Sequence, residues 1–293
     1  MNRALPANPV ISIIIPCFNH GNYLEEALES IFSQQYEAVE IVVVDDGSTD
    51  NTKAVTEQYN QVKYFYQDNK GLSAARNTGI KNCSGDLLVF LDADDWLLPG
   101  ALKTNLAFFK SHPDVAFVSG GFKSVYMDSG ESIDTTYEVT SDHYINFLRN
   151  NFVGMHAAVM YQRWVFDEFY FNEALRVCED YDLYLRISKR YPVYHHTHLI
   201  AAYRKHSSNM SSDIPKMLRG VLGVLNSQDK STMSVAEMKA YSAGKKIWKE
   251  YYGRELYDNL KQNKRAATRS ELLILMKYYP RLAIKYFLKF FIK

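Results

Sequence analysis

Asp92, Asp94 and Asp95 place three carboxylates within four positions, directly after the apolar run Leu87-Leu88-Val89-Phe90-Leu91. On an extended chain residues two apart share a side, so Asp92 and Asp94 point the same way. Like charges this close repel unless a cation sits between them, and hard oxygen ligands suit Mg²⁺ or Mn²⁺. The competing reading is a helix start, in which Asp94 or Asp95 caps a helix entered through Pro99. A second acidic pair, Asp45-Asp46, ends the apolar run Ile41-Val42-Val43-Val44, and a third, Glu179-Asp180, opens a segment with helical patterning. Capped turns and the helix dipole favour acids at such places without any chemistry.

The elements around these acids alternate. Val10 to Pro16 is a β-branched strand run that Pro16, lacking a ladder donor, should end. Leu24, Ala27, Leu28, Ile31 and Phe32 form one apolar stripe of a helix over about 22–35. Ile41–Val44 is the next strand, followed by a helix through about Tyr59, a strand over 62–66 and a helix over 73–82. The fourth strand is the Leu87 run, and Pro99 opens a helix to about Ser111. Strand and helix alternating four times with short connections predict a parallel sheet with right-handed crossovers and helices on both faces. Each strand drops polar residues at its carboxyl end: Asn19, then Asp45 and Asp46, then Asp68 and Asn69, then Asp92 to Asp95. Several such clusters at one edge make a ligand crevice. Farther on, Val115–Val118, 152–160 and 193–203 read as strands, 124–140 as a polar excursion or hairpin, and 179–190 as a helix. From Asp213 onward only helical patterning remains.

Composition bounds the rest. The chain has 293 residues, 47% hydrophobic and 23% charged, with a formal net charge of +1, which makes no overall case for nucleic acid. Cys17, Cys83 and Cys178 are far apart and lack C-x-x-C spacing, so neither a disulfide framework nor a zinc site is expected, and a cytoplasmic setting is the default. Residues 1–9 lack the apolar core of a signal peptide, and no run of about 18 apolar residues occurs, so neither export by that route nor a bilayer span is expected.

Five segments come in the order and spacing of a known pattern: Ser12-Ile13-Ile14-Ile15-Pro16-Cys17-Phe18-Asn19, Val44-Asp45-Asp46-Gly47-Ser48-Thr49-Asp50, Gly71-Leu72-Ser73-Ala74-Ala75-Arg76-Asn77, Leu91-Asp92-Ala93-Asp94-Asp95 and Glu179-Asp180-Tyr181-Asp182-Leu183. Over about 10–210 the chain resembles the family-2 glycosyltransferases, inverting enzymes with the α/β GT-A fold. The resemblance implies a catalytic domain over 1–212 that binds a nucleotide-sugar donor, a UDP-sugar first; the helical extension over 213–293, read from its patterning, lies outside the resemblance and inherits nothing from it. It implies that Pro16 and Phe18 border the base, that Asp46 binds the base with Asp45 supporting the loop, and that Arg76 faces the diphosphate. Asp92 and Asp94 match the D-x-D, with Asp94 the direct ligand of Mn²⁺ or Mg²⁺ and Asp92 nearer the ribose. Asp180 is the implied general base and Glu179 its neighbour on the acceptor. Tyr203-Arg204-Lys205-His206 resembles a segment that closes over the diphosphate or the metal, which makes His206 a candidate ligand. His156 and Trp96 are candidate acceptor contacts.

From Lys261 to Lys293 the chain carries nine Lys or Arg and one acid, Glu271, a net charge of +8. Arg281, Lys285, Lys289 and Lys293 recur every four residues among Leu282, Ile284, Tyr286, Phe287, Leu288, Phe290, Phe291 and Ile292. A short basic amphipathic helix over 278–293 suits the headgroup region of an anionic membrane, placing the protein peripherally on its inner face. The alternatives are a helix docked on its own domain or on a second subunit of a homodimer. The leading expectation is a metal-dependent inverting glycosyltransferase, of the hexosyltransferase class, acting on a glycan or lipid-linked acceptor in cell-surface polysaccharide synthesis. A sugar nucleotidyltransferase would need a Gly-rich basic loop after the first strand, which Pro16-Cys17-Phe18-Asn19-His20 lacks; a non-catalytic nucleotide- or glycan-binding protein is the third reading.

Overall fold

Apolar runs give the first four strands: β1 (Ile11–Cys17), β2 (Val39–Asp45) and β4 (Leu87–Phe90), largely covered on both sides, and the half-exposed edge strand β3 (Val62–Tyr66). They pair in parallel, in the order β3-β2-β1-β4. The computed structural model describes residues 5–206, 209–262 and 267–291, with side chains through Tyr286. Between the strands run α1 (Gly21–Phe32), α2 (Thr52–Thr56) and α3 (Leu72–Asn82), and α4 (Ala101–Ser111) follows. Ile11, Ile13 and Ile15 of β1 share one buried cluster with Leu24, Leu28 and Ile31 of α1 and Phe109 of α4. Ile14 faces the other way, onto Gly79 of α3. The period of two thus puts helices on both faces of the sheet.

The second half of the sheet is mixed. β5 (Trp96–Leu97), β6 (Phe117–Tyr126), β7 (Ser132–Thr135), β8 (Val159–Gln162) and β9 (Tyr194–Lys205) extend it in the order β4-β8-β6-β9-β5, with β7 paired to β6. Only β6 and β9 run parallel there; the other pairs are antiparallel. α6 (Glu179–Ser188) stands between β8 and β9 in the chain.

Three expectations shift. β1 continues through Pro16 to Cys17, because its register with β4 stops at Ile14 and no N–H is needed on that side. The helix after β2 stops at Thr56 rather than Tyr59. The strand expected over 152–160 shrinks to Val159–Gln162, because Gly154 turns left-handed (φ +70°) and His156–Ala158 form a 3-10 turn.

The described residues fall into two compact units, one of Met1–Tyr144 and Phe152–His206, the other of Ile145–Asn151 and Ser207–Lys293. α5 (His143–Arg149) spans the division. The helical unit contains α7 (Ile214–Asn226), α8 (Val235–Gln262), α9 (Arg269–Tyr278) and α10 (Pro280–Phe291). Asp213 caps α7 by accepting from the Lys216 N–H at 3.0 Å, and Thr268 with Glu271 forms a reciprocal capping box on α9. Among the described residues no helix is long and apolar enough to cross a membrane. Of the expected basic stripe, Arg281 and Lys285 are described on α10, whereas the Lys289 side chain and Lys293 lie outside the described residues.

Candidate active site

The loops after β1 and β2 are tied to each other by backbone and side chain. The Asp46 N–H donates to Cys17 O at 2.8 Å, Asn19 N–H to Ser48 Oγ at 2.9 Å, and Thr49 N–H to Asn19 Oδ1 at 2.8 Å. Asp45 and Asp46 are both buried, and their oxygens face protein donors. Asp45 accepts from Ser48 N–H and from the Tyr64 hydroxyl, each at 2.7 Å. Asp46 accepts from Gln67 Nε2 (2.7 Å), Lys70 N–H (2.9 Å) and Gly71 N–H (2.8 Å). The structure therefore places Asp46 as the anchor of the 67–71 loop that launches α3. Gly71 enters that helix with φ +96°, and a Cβ there would stand 2.3 Å from Arg176 Nη1, so only glycine lets Arg176 reach Lys70 O at 2.9 Å. Pro16 lies within β1, and Phe18, just beyond it, is 47% exposed.

Arg76 projects from α3 and is 1% exposed. Its Nη2 donates to Asp92 Oδ1 and its Nη1 to Glu179 Oε1, both at 2.7 Å. The guanidinium lies 5.3 Å from the centre of the Phe171 ring. Burial works against its charge, and the carboxylates of Asp92 and Glu179 outweigh that. The diphosphate-facing role implied by resemblance meets a guanidinium already engaged by two carboxylates. What Arg76 does here is join the end of β4 to the start of α6. The Asp180 carboxyl is partly exposed beside this bridge. Burial first, and then the adjacent Glu179 carboxylate, push it up to about 7, while Arg76 pulls the other way. Cys178, the residue before α6, is left-handed without being glycine (φ +60°). Such backbone strain gathers where side chains must be aimed.

On the other side of Asp92 the chain turns, with Asp95 N–H donating to Asp92 O at 3.0 Å. Arg204 of β9 holds this turn: its N–H reaches Asp95 Oδ1 at 2.9 Å, its Nε reaches Asp94 O at 2.8 Å, and its Nη2 pairs with Glu26 of α1. The guanidinium sits 4.9 Å from the Tyr23 ring and 4.7 Å from the Trp96 ring, a cation between two aromatic faces. One face of Trp96 is thus taken by Arg204 and closed to a sugar. Burial, and then the charges of Asp94 and Asp92, push the Asp95 carboxyl well above the usual carboxylate range.

Asp94 Oδ2 lies 3.1 Å from His206 Nε2 and 3.9 Å from His20 Nδ1, and the His206 ring stacks on Tyr23 at 5.4 Å. Among the described residues no three His, Cys, Asp or Glu side chains form a ready metal cage. A carboxylate oxygen with an imidazole nitrogen nevertheless fits a divalent ion such as Mn²⁺. Asp94 and His206 are the residues that would hold it. His156, expected at the acceptor, is 5% exposed instead. It sits among Phe90, Tyr161 and Tyr184, with Nδ1 3.0 Å from the Tyr184 hydroxyl, and burial holds its pKa well below the usual histidine value. An apolar surrounding made it a core residue.

Sequence reasoning missed Arg204 as the strap over the acidic turn. The available signal was its place two residues before His206 in the Tyr203–His206 segment, since residues two apart on an extended chain share a side.

A mixed α/β sheet with acids gathered at the carboxyl ends of its parallel strands is a common ligand-binding architecture, and comparison with known proteins narrows it. Residues 12–170 match the sequence profile of glycosyl transferase family 2, and the chain belongs to that family. It is 31% identical over 217 residues to an uncharacterized glycosyltransferase of Rickettsia felis, covering 70% of this chain and 36% of that protein. It is 30% identical over 199 residues to the chondroitin synthase of Escherichia coli, covering 64% of this chain and 28% of that one. The chain spans about a third of the length of the first curated relatives it matches. Among solved structures, S. aureus TarS 1-349 in complex with UDP-GlcNAc superposes with a TM-score of 0.62 at 20% identity, over 92% of this chain and 80% of that one. The mannosyltransferase PcManGT from Pyrobaculum calidifontis, in complex with GDP-Man and Mn²⁺, gives 0.61 at 16% identity, over 98% and 87%. The fold is GT-A.

Proposed function

We propose that this chain transfers a hexose from a nucleoside-diphosphate donor to a hydroxyl of a glycan or lipid-linked acceptor, with inversion, in cell-surface polysaccharide synthesis. The observation that carries this reading is the Asp92–Arg76–Glu179 bridge, which brings two acidic motifs far apart in sequence into one assembly beside Asp180. Donors bound in the TarS and PcManGT structures support a nucleotide sugar, and the chondroitin synthase relative supports a polysaccharide product.

Each group then has a task. Phe18 offers an exposed ring to the base, with Pro16 behind it, and the Asp45–Asp46 loop supports that end of the pocket. Asp92, fixed by Arg76, lies on the ribose side. A divalent cation on Asp94 and His206 would act as a Lewis acid, neutralising the diphosphate as it leaves. Arg204 keeps the Asp94 backbone in place. Asp180, with a pKa near 7, accepts the acceptor's proton as the hydroxyl attacks the face opposite the leaving group. Glu179, held by Arg76, stands ready to orient that hydroxyl. The protein is also proposed to work peripherally at an anionic membrane face.

The test is calorimetric titration with a panel of nucleotide sugars, with and without Mn²⁺. Asp94→Ala should abolish the Mn²⁺-dependent part of donor binding; equal affinity with and without chelator in the unaltered chain would reject the metal role.

A further inference from the structure

In the helical unit α9 and α10 each bury one face. Glu271, Ile274 and Leu275 are turned inward on α9, as are Ala283 and Tyr286 on α10. A helix pair that only docked would leave a polar outer face. Here Leu273 is 54% exposed, Met276 48% and Ile284 59%. Lys277, Arg281 and Lys285, all exposed, stand among them. Leu273 and Met276 are three apart and Leu273 and Lys277 four apart on α9, while Arg281, Ile284 and Lys285 repeat that spacing on α10, so each set shares a side of its helix. Glu271, the single acid between Lys261 and Lys293, is buried in the capping box and offers no counter-charge outside.

We propose that the outer faces of α9 and α10 dock on an anionic lipid bilayer, with Leu273, Met276 and Ile284 entering the headgroup–acyl boundary and Lys277, Arg281 and Lys285 meeting the lipid charges. This gives residues to the membrane reading above and is independent of sugar transfer. Charge complementarity selects this occupant. A two-fold interface with a second copy would bring two net-positive faces together. A nucleic acid would use the cations and leave the aliphatic side chains without purpose. Aliphatic residues interleaved with cations match an interface that is apolar below and anionic above.

Flotation of the full chain with vesicles tests this. The chain should partition onto phosphatidylcholine vesicles containing phosphatidylglycerol and stay in solution with phosphatidylcholine alone. The triple variant Lys277→Glu, Arg281→Glu, Lys285→Glu should lose about a hundredfold in partition, at several-fold per cation. Leu273→Ser with Met276→Ser and Ile284→Ser, which leaves charge unchanged, should lose at least about tenfold. All six side chains point outward, so thermal unfolding should not move, and the vesicle comparison on the unaltered chain stands without any variant. No partition onto anionic vesicles overturns the proposal. So does a charge variant that binds like the unaltered chain, or a micromolar dimer in sedimentation that the serine variant dissolves. Donor binding is not needed in this assay, so its failure and that of the transfer reading are separately visible.

Discussion

Glu40 and Asp180 are both partly buried carboxylates near strand ends, and the protein treats them oppositely. Glu40 lies at the amino-terminal edge of β2. Burial alone would raise its pKa, but Lys63 Nζ at 2.5 Å, the Ser12 hydroxyl, and Ser84 through its N–H (2.7 Å) and hydroxyl (2.9 Å) together hold it down to about 2. Asp180 stands at the start of α6, across from the carboxyl end of β4. A backbone N–H, that of Tyr181 at 2.7 Å, donates to it, and Glu179 adds repulsion, so its proton is held until about pH 7. One edge of the sheet satisfies its carboxylate and gains stability. The other leaves a carboxylate undersatisfied, which costs stability and suits the base role proposed for it.

Arg76 is the side chain on which the acidic edge depends most heavily. Arg76→Met leaves the buried Glu179 and the half-buried Asp92 without their cation and should lower unfolding free energy by about 3 kcal/mol in urea titration. A loss within error would mean that the bridge does not hold the acidic edge together. Glu40→Gln should cost about 1–2 kcal/mol at pH 7. Because the folded-state pKa of Glu40 is depressed, its contribution is full above the unfolded value near 4.5 and is lost as pH falls toward about 2. The gap between variant and unaltered chain should therefore close across that window, and a constant gap would assign the effect to shape. The smallest effect has the opposite sign. Asp180 has a raised folded pKa, so its charge opposes folding above about pH 7 and the cost fades as pH falls below it. Asp180→Asn should raise the unfolding free energy at pH 8 by about 0.5–1 kcal/mol, an increment typical of relieving a functional site. A destabilised variant would show that Asp180 is structurally satisfied.

The sequence was most readable where periodicity and burial agree. β1, β2 and β4 are near-continuous apolar runs, and the polar residues after them marked the edge where the acids gather. Gly154 and the 3-10 turn at His156 were invisible to that logic, because a buried apolar run reads as strand whether or not it turns. The antiparallel β8 next to β4 is likewise a tertiary choice that no local pattern dictates. Within the site, residue types were legible but their partners were not. Arg76 carries the same charge whether it meets a phosphate or two carboxylates, and only packing decides. His156 is buried against Tyr184, and one face of Trp96 is taken by Arg204, contacts that span long stretches of chain.

The central claim is that Asp180 is a base kept poised for transfer. Donor affinity and sugar transfer should be measured together on Asp180→Asn at pH 8 with Mn²⁺. The account predicts donor affinity within about twofold and transfer reduced by about a hundredfold or more, as expected when a positioned general base is removed. Near-normal transfer in that variant would contradict it.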